Sequence, residues 1–133
     1  MVGRLMSFGI KRSKADALFS NYIRELAGYS CERCHKEFEK PAQGLHNSHF
    51  HSRAKKSVRF DPENCASLCF SCHNYFSGNP NDHVEFFKKR LGLKRFQALA
   101  VRAATPQKVD EAEIALALEL MLQKMKSEKK VLK

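Results

Sequence analysis

The sequence predicts a small α+β fold, in which two short strands and a helix form a finger stapled by four cysteines, with helices on either side. Three observations predict it. Two Cys-x-x-Cys pairs stand at residues 31–34 and 69–72. Between them, residues 45–51 and 64–68 read as short strands bounded by turn-forming residues. Outside them, apolar residues recur at three- and four-residue steps, the mark of amphipathic helices.

The cysteines organise the rest. Cys31, Cys34, Cys69 and Cys72 make one four-thiolate set, since Zn²⁺ takes tetrahedral Cys₄ ligation and a two-residue spacer lets both sulfurs of a knuckle reach one ion. His35 adjoins Cys34 as an alternative ligand, but four well-spaced cysteines leave it no vacancy. Cys65 is the fifth cysteine, expected as a small buried apolar residue. Paired spacing without an export signal reads as metal ligation rather than disulfides, so the expected compartment is the cytoplasm.

Composition sets the partner class. The 133 residues carry 24 Lys and Arg against 14 Asp and Glu, a formal charge of +10. That excess favours a polyanion, most often nucleic acid. No apolar run approaches the roughly 18 residues of a membrane span. Internal repeats, a glycine-rich phosphate loop and a Ser-His-Asp pattern are absent from the sequence.

Three regions follow in order: a basic flexible arm at 1–14, a zinc-stapled domain at 15–92, and a helical extension at 93–133. A helix is expected over 14–27, with Ala15, Leu18, Phe19, Tyr22, Ile23 and Leu26 on its apolar face and Gly28 as its stop. In the first strand, Asn47, His49 and His51 share one face and His46, Ser48 and Phe50 the other. Phe50 should then enter the core while the polar face lines a cleft. Residues 52–63 form a basic loop whose Arg53, Lys55, Lys56 and Arg59 are candidate phosphate contacts.

A helix from about Ser71 ends at Gly78-Asn79-Pro80, and another begins near Asn81 and stops at Gly92. His83 lies on it and is expected at the surface. A short helix over 93–103 with exposed Lys94, Arg95 and Arg102 comes next. Thr105-Pro106 predicts the start of the last helix, whose apolar face runs through about Lys126 before a fraying end. That face either closes the core or pairs with a second copy of the chain.

Leu45-His46-Asn47-Ser48-His49-Phe50 and Glu63-Asn64-Cys65, with Cys69-Phe70-Ser71-Cys72-His73-Asn74, resemble the HNH nuclease motif. Its three letters fall on His49, Asn64 and His73. A narrower likeness adds Phe19-Ser20-Asn21-Tyr22-Ile23-Arg24, Val58-Arg59-Phe60 and Ser77-Gly78-Asn79, and is similar to the NinG (Rap) recombination endonucleases of lambdoid phages.

The resemblance implies a ββα-metal finger and metal-dependent hydrolysis of DNA, on branched intermediates such as Holliday junctions, by a possible homodimer paired through the last helix. His49 would be the general base and His73 a ligand of a catalytic Mg²⁺ or Mn²⁺. Asn64 would ligate that ion or brace the finger, and Arg53 and Arg59 would clamp phosphate. Ser48 departs from the pattern, since many relatives have an acidic residue or histidine there as a ligand. His46 and Asn47 are the first substitutes for it and His51 the next. The competing expectation is a non-catalytic zinc module that binds nucleic acid through its basic loop and tails.

Overall fold

The structure, a computed structural model, describes residues 11–132, with side chains through residue 129. Most of the expected basic arm lies outside the described residues. Helix α1, Lys14–Leu26, starts on a capping box: the Ser13 hydroxyl accepts from Asp16 N–H, and the Asp16 carboxylate accepts from Ser13 N–H. Its periodic residues bury Ala15, Phe19 and Ile23. Gly28 and Tyr29 follow with φ of 62° and 59°, turning the chain out of the helix toward the first knuckle.

Strand β1, Leu45–His49, runs antiparallel to β2, Cys65–Cys69, in a register that pairs Leu45 with Cys69 and His49 with Cys65. β1 ends two residues earlier than expected. The Phe50 N–H still bonds the Asn64 carbonyl, but the chain then bends into a loop containing two 3₁₀ turns, Lys56–Val58 and Pro62–Asn64.

Helix α2, Phe70–Gly78, leaves β2 directly, with Cys69 as its cap. Helix α3, Pro80–Leu91, opens on proline, whose missing N–H costs nothing in a first turn. Gly92 at φ 83° makes the sharp join to α4, Leu93–Ala104.

The last helix, α5, is Glu111–Leu132. Thr105-Pro106 does not begin it. The Thr105 hydroxyl instead donates back to the Val101 carbonyl and closes α4, while the Asp110 carboxylate accepts from the N–H groups of Ala112 and Glu113 and caps α5. The helix also continues past Lys126, where fraying was expected.

Every residue of β2 is buried, and it separates two apolar clusters. One gathers Leu45, Val58, Leu68, Phe76, Phe87 and Leu99, with Phe50 packed against it as expected. The other joins Phe19 and Ile23 of α1 to Cys65 and to Leu118 of α5. Cys65 therefore takes the apolar role assigned to it. The helices after Gly92 share both clusters rather than hanging off the domain. Arg102, expected to be solvated, reaches Asp61 and Glu63 at 3.0 and 2.9 Å and ties α4 to the basic loop.

One face of α5 thus closes the core, while Leu116 and Leu120 remain exposed. Leu118→Ala should cost about 2–4 kcal/mol in urea unfolding, because it opens a cavity against Phe19 and Ile23. Leu116→Ala should cost under about 0.5 kcal/mol. Equal losses from the two would contradict the assigned face.

Candidate active site

The ligand atoms of Cys31, Cys34, Cys69 and Cys72 lie within 4.8 Å of one another, and the set could hold a metal ion, compatible with structural zinc. Each knuckle turns its own backbone toward sulfur. Cys34 N–H points at Cys31 Sγ and Cys72 N–H at Cys69 Sγ, both at 3.5 Å. The two knuckles reach each other because Glu32 spans them: its N–H bonds the Ser67 carbonyl, and its carboxylate takes Ser67 N–H and Arg90 Nε. His35 stays outside the cluster.

Burial pushes the Cys31 thiol up, but N–H donation led by Cys34 outweighs it and leaves the group at about 7. Burial and the neighbouring sulfurs push Cys72 up to about 12.

A second feature is a cleft of about 270 Å³ beside β1, lined by residues that include Arg12, Arg24, Asn47, His49, Arg53 and His73. His46 lines it too, although strand alternation put it on the other face. Its ring stacks on His73 with centroids 5.3 Å apart and planes 2° from parallel, so the first turn of α2, which carries His73, brings the two histidines together. Burial, then the neighbouring His46, lowers the His73 pKa and keeps its imidazole neutral near pH 7. His73 Nδ1 and Asn47 Oδ1 are both buried without a hydrogen-bond partner.

His49 is set differently. Its Nε2 lies 2.8 Å from the backbone carbonyl of Arg59. A carbonyl only accepts, so Nε2 carries the proton and Nδ1 keeps the lone pair. Burial lowers the His49 pKa against that bond, and the nearby charge of Arg53 adds to the effect. The result is a neutral imidazole with a fixed tautomer at the wall of a basic cleft.

Asn64 is fully buried and uses its whole amide on backbone. Oδ1 accepts from His51 N–H, and Nδ2 donates to the carbonyls of His51 and Val58. It closes the loop from 51 to 64 on itself, which is the bracing geometry rather than that of a ligand. His51 does not line the cleft; its ring stands edge-on to Phe50, because β1 has ended and the chain has turned. Ser48 is 2% exposed and likewise absent from the cleft wall.

The basic loop divides. Arg53 lines the cleft, with Nη2 3.6 Å from Asp16 Oδ2. Lys55 and Lys56 border a separate hollow beside Thr105 and Gln107. Arg59, expected to clamp phosphate, is 7% exposed, and its guanidinium is turned inward and held by both oxygens of Asp16, with Nε at 3.0 Å. His83, expected at the surface, is half-buried and stacks on Phe76 at 4.9 Å.

Sequence reasoning has Arg12 in the basic arm, open to phosphate contact or solvated, and misses Arg24 and Asp16 as cleft residues. For Asp16 a signal existed, since Ser13 three residues before it spells a capping box. Arg24 gave none, because its place depends on Nη1 reaching the Leu45 carbonyl 21 positions away.

The family model described as Bacteriophage Lambda NinG protein matches residues 10–131. The chain belongs to the NinG family. The match takes in both knuckles, the cleft and α5 up to its last residues, so the site described above is a site of the NinG domain. No curated protein and no solved structure gives a significant match.

Two outcomes are expected. Protein purified without chelator should contain about one Zn²⁺ per chain by elemental analysis, and strong chelation should unfold the finger; metal-free, fully folded protein would contradict the ligand set. The second concerns Asp16. Burial alone would raise its pKa, but the Arg59 bond and Ser13 N–H outweigh that and lower it to about 2, from 3.8. A lowered folded-state pKa gives stability that is present above 3.8 and is lost as pH falls through 2. Asp16→Asn should therefore cost on the order of 2 kcal/mol at pH 7 and roughly half that at pH 3, read from urea midpoints. A pH-independent cost would contradict the charged pair.

Proposed function

We propose that this NinG-family chain is a metal-dependent HNH endonuclease that hydrolyses DNA phosphodiester bonds, acting on branched recombination intermediates. The observation that carries the reading is His49: a neutral imidazole, held in one tautomer by the Arg59 carbonyl, on the wall of a cleft that also has Arg12, Arg24 and Arg53.

In this reading His49 Nδ1 takes a proton from water, and the hydroxide so formed attacks phosphorus. The P–O bond to the leaving sugar breaks, and that oxygen is protonated as it departs. Arg12, Arg24 and Arg53 bind the phosphate and its flanks, as guanidinium groups match phosphate oxygens in pairs.

Mg²⁺ or Mn²⁺, when bound, supplies positive charge to the non-bridging and leaving oxygens. His73 would hold it, with His46 and Asn47 as the further donors, since His73 Nδ1 and Asn47 Oδ1 are the buried polar atoms there that lack a partner. Asn64 takes the bracing role. Its amide is spent on the loop that carries Arg59, whose carbonyl in turn orients His49. The four cysteines hold a structural Zn²⁺.

Cutting both strands at a branch point calls for two copies, and the exposed Leu116 and Leu120 of α5 are the surface for pairing them. A single chain per junction in sedimentation would remove that part.

The test compares parent and His49→Ala on labelled linear duplex and four-way junction with EDTA, Mg²⁺ or Mn²⁺. Cutting of the junction should require the divalent ion and fall by about 10²–10⁴ in the variant, while binding persists. Because burial lowers the His49 pKa, the rate should rise with pH and level off below neutrality. Binding without cleavage under every metal would favour a non-catalytic zinc module. Cleavage by His49→Ala at the parent rate would remove the base.

A further inference from the structure

A second groove, about 560 Å³ in volume, lies along the row of α1 next to the one that faces the cleft. Asn21 and Glu25 of α1, Tyr29, Lys40 of the loop after the first knuckle, and Lys126 and Lys129 of α5 line it. Its three ammonium groups come from two segments far apart in the chain, Lys40 from one and Lys126 and Lys129 from the other, so the fold collects them.

Glu25 is the acid among these six residues, and it is already satisfied. It accepts from the Tyr29 hydroxyl and from Lys129, and Lys40 Nζ stands 3.4 Å away. Lys40 and Lys129 also sit over the Tyr29 ring, at 4.8 and 5.7 Å from its centroid. Tyr29 reaches that place from a left-handed backbone conformation, φ 59°, which a side chain adopts at a cost. Lys126 is exposed and has no ion-pair partner among the described residues. The groove therefore keeps an excess of two positive charges over its one carboxylate.

The groove adjoins the cleft along α1. Ser20 and Arg24 face the cleft, and Asn21 and Glu25, the next row on the same helix, face the groove. Arg24 Nη2 bonds Asn21 Oδ1 at 2.7 Å across the ridge between them.

We propose that this groove carries the DNA backbone leaving the cleft, with Lys40, Lys126 and Lys129 as phosphate contacts, so that α5 is part of the substrate surface. The proposal rests on the nuclease reading above and extends it to a second stretch of substrate. A polyanion is the occupant that an unbalanced set of ammonium groups, next to an arginine-lined cleft, fits best.

The experiment measures binding of a fluorescent four-way junction in EDTA between 50 and 200 mM salt, with cleavage disabled by His49→Ala. Each phosphate contact contributes about 0.9 to the slope of log K against log salt. Adding Lys40→Ala and Lys126→Ala should reduce that slope by about 1.8 and weaken binding about tenfold. Lys126→Ala alone, which breaks no ion pair, should reduce it by about 0.9 and guards against a folding defect in the double variant.

Lys94→Ala with Lys108→Ala removes the same charge from residues that line neither the cleft nor the groove, and should leave the slope unchanged. A groove variant with the parent slope, or a control pair with an equal drop, overturns the groove alone. No DNA binding by the parent at any salt overturns the nuclease reading and the groove with it.

Discussion

Four sulfur atoms within 4.8 Å of one another set the terms for the rest of the molecule. The first pair belongs to a loop after α1, the second to the joint between β2 and α2, and drawing them together fixes where the strand pair lies against both helices. Four thiolates at such range repel, so the arrangement asks for a divalent cation at its centre. The backbone agrees with the sulfurs at each knuckle, since the N–H groups of Cys34 and Cys72 already point at them. Glu32 then adds a link that needs no metal, binding Ser67 of β2 and Arg90 of α3 at once.

From that anchor a chain of contacts runs to His49. Asn64, buried at the end of the basic loop, spends its amide on the backbone of His51 and Val58 and so fixes the loop's path. The next residue after Val58 is Arg59, whose carbonyl meets His49 Nε2 while its side chain turns inward to Asp16. Arg59 also lies 3.3 Å from the Lys11 carbonyl and 3.8 Å from Glu111. One residue therefore ties the entry to α1, the start of α5 and the orientation of the histidine. A buried guanidinium without its carboxylate would be costly, so Asp16 is part of the same device.

Local signals in the sequence carried the elements but not always their limits. Periodicity located α1, α3 and α4 because their apolar faces meet the two cores directly. The pair at Thr105-Pro106 misled because a cap and a proline are also what ends a helix: the Thr105 hydroxyl closes α4, and Asp110 makes the better cap five residues on. In the candidate site, the motif letters led to His49, Asn64 and His73, which are local to the finger. Arg59 was assigned outward because a basic loop is normally solvated; nothing nearby in sequence announces Asp16, 43 positions back, as its partner. His46 reaches the cleft although alternation places it on the other face of β1, because the helix after β2 brings His73 to it.

The burial of Arg59 changes how the charge of +10 should be understood. A net count treats every cation as available to a polyanion, yet Arg59, Arg90 and Arg102 are held by Asp16, Glu32, and Asp61 with Glu63. They act as structural ties between elements, and the acids that hold them are removed from the surface field as well. Pairing within the fold leaves the excess where acids are scarce: Arg12, Arg24 and Arg53 meet a single Asp16 in the cleft. Because that carboxylate is already committed to Arg59, the field at the cleft mouth is more positive than a residue count would give. Placement of the acids, more than the number of bases, is what makes this face positive.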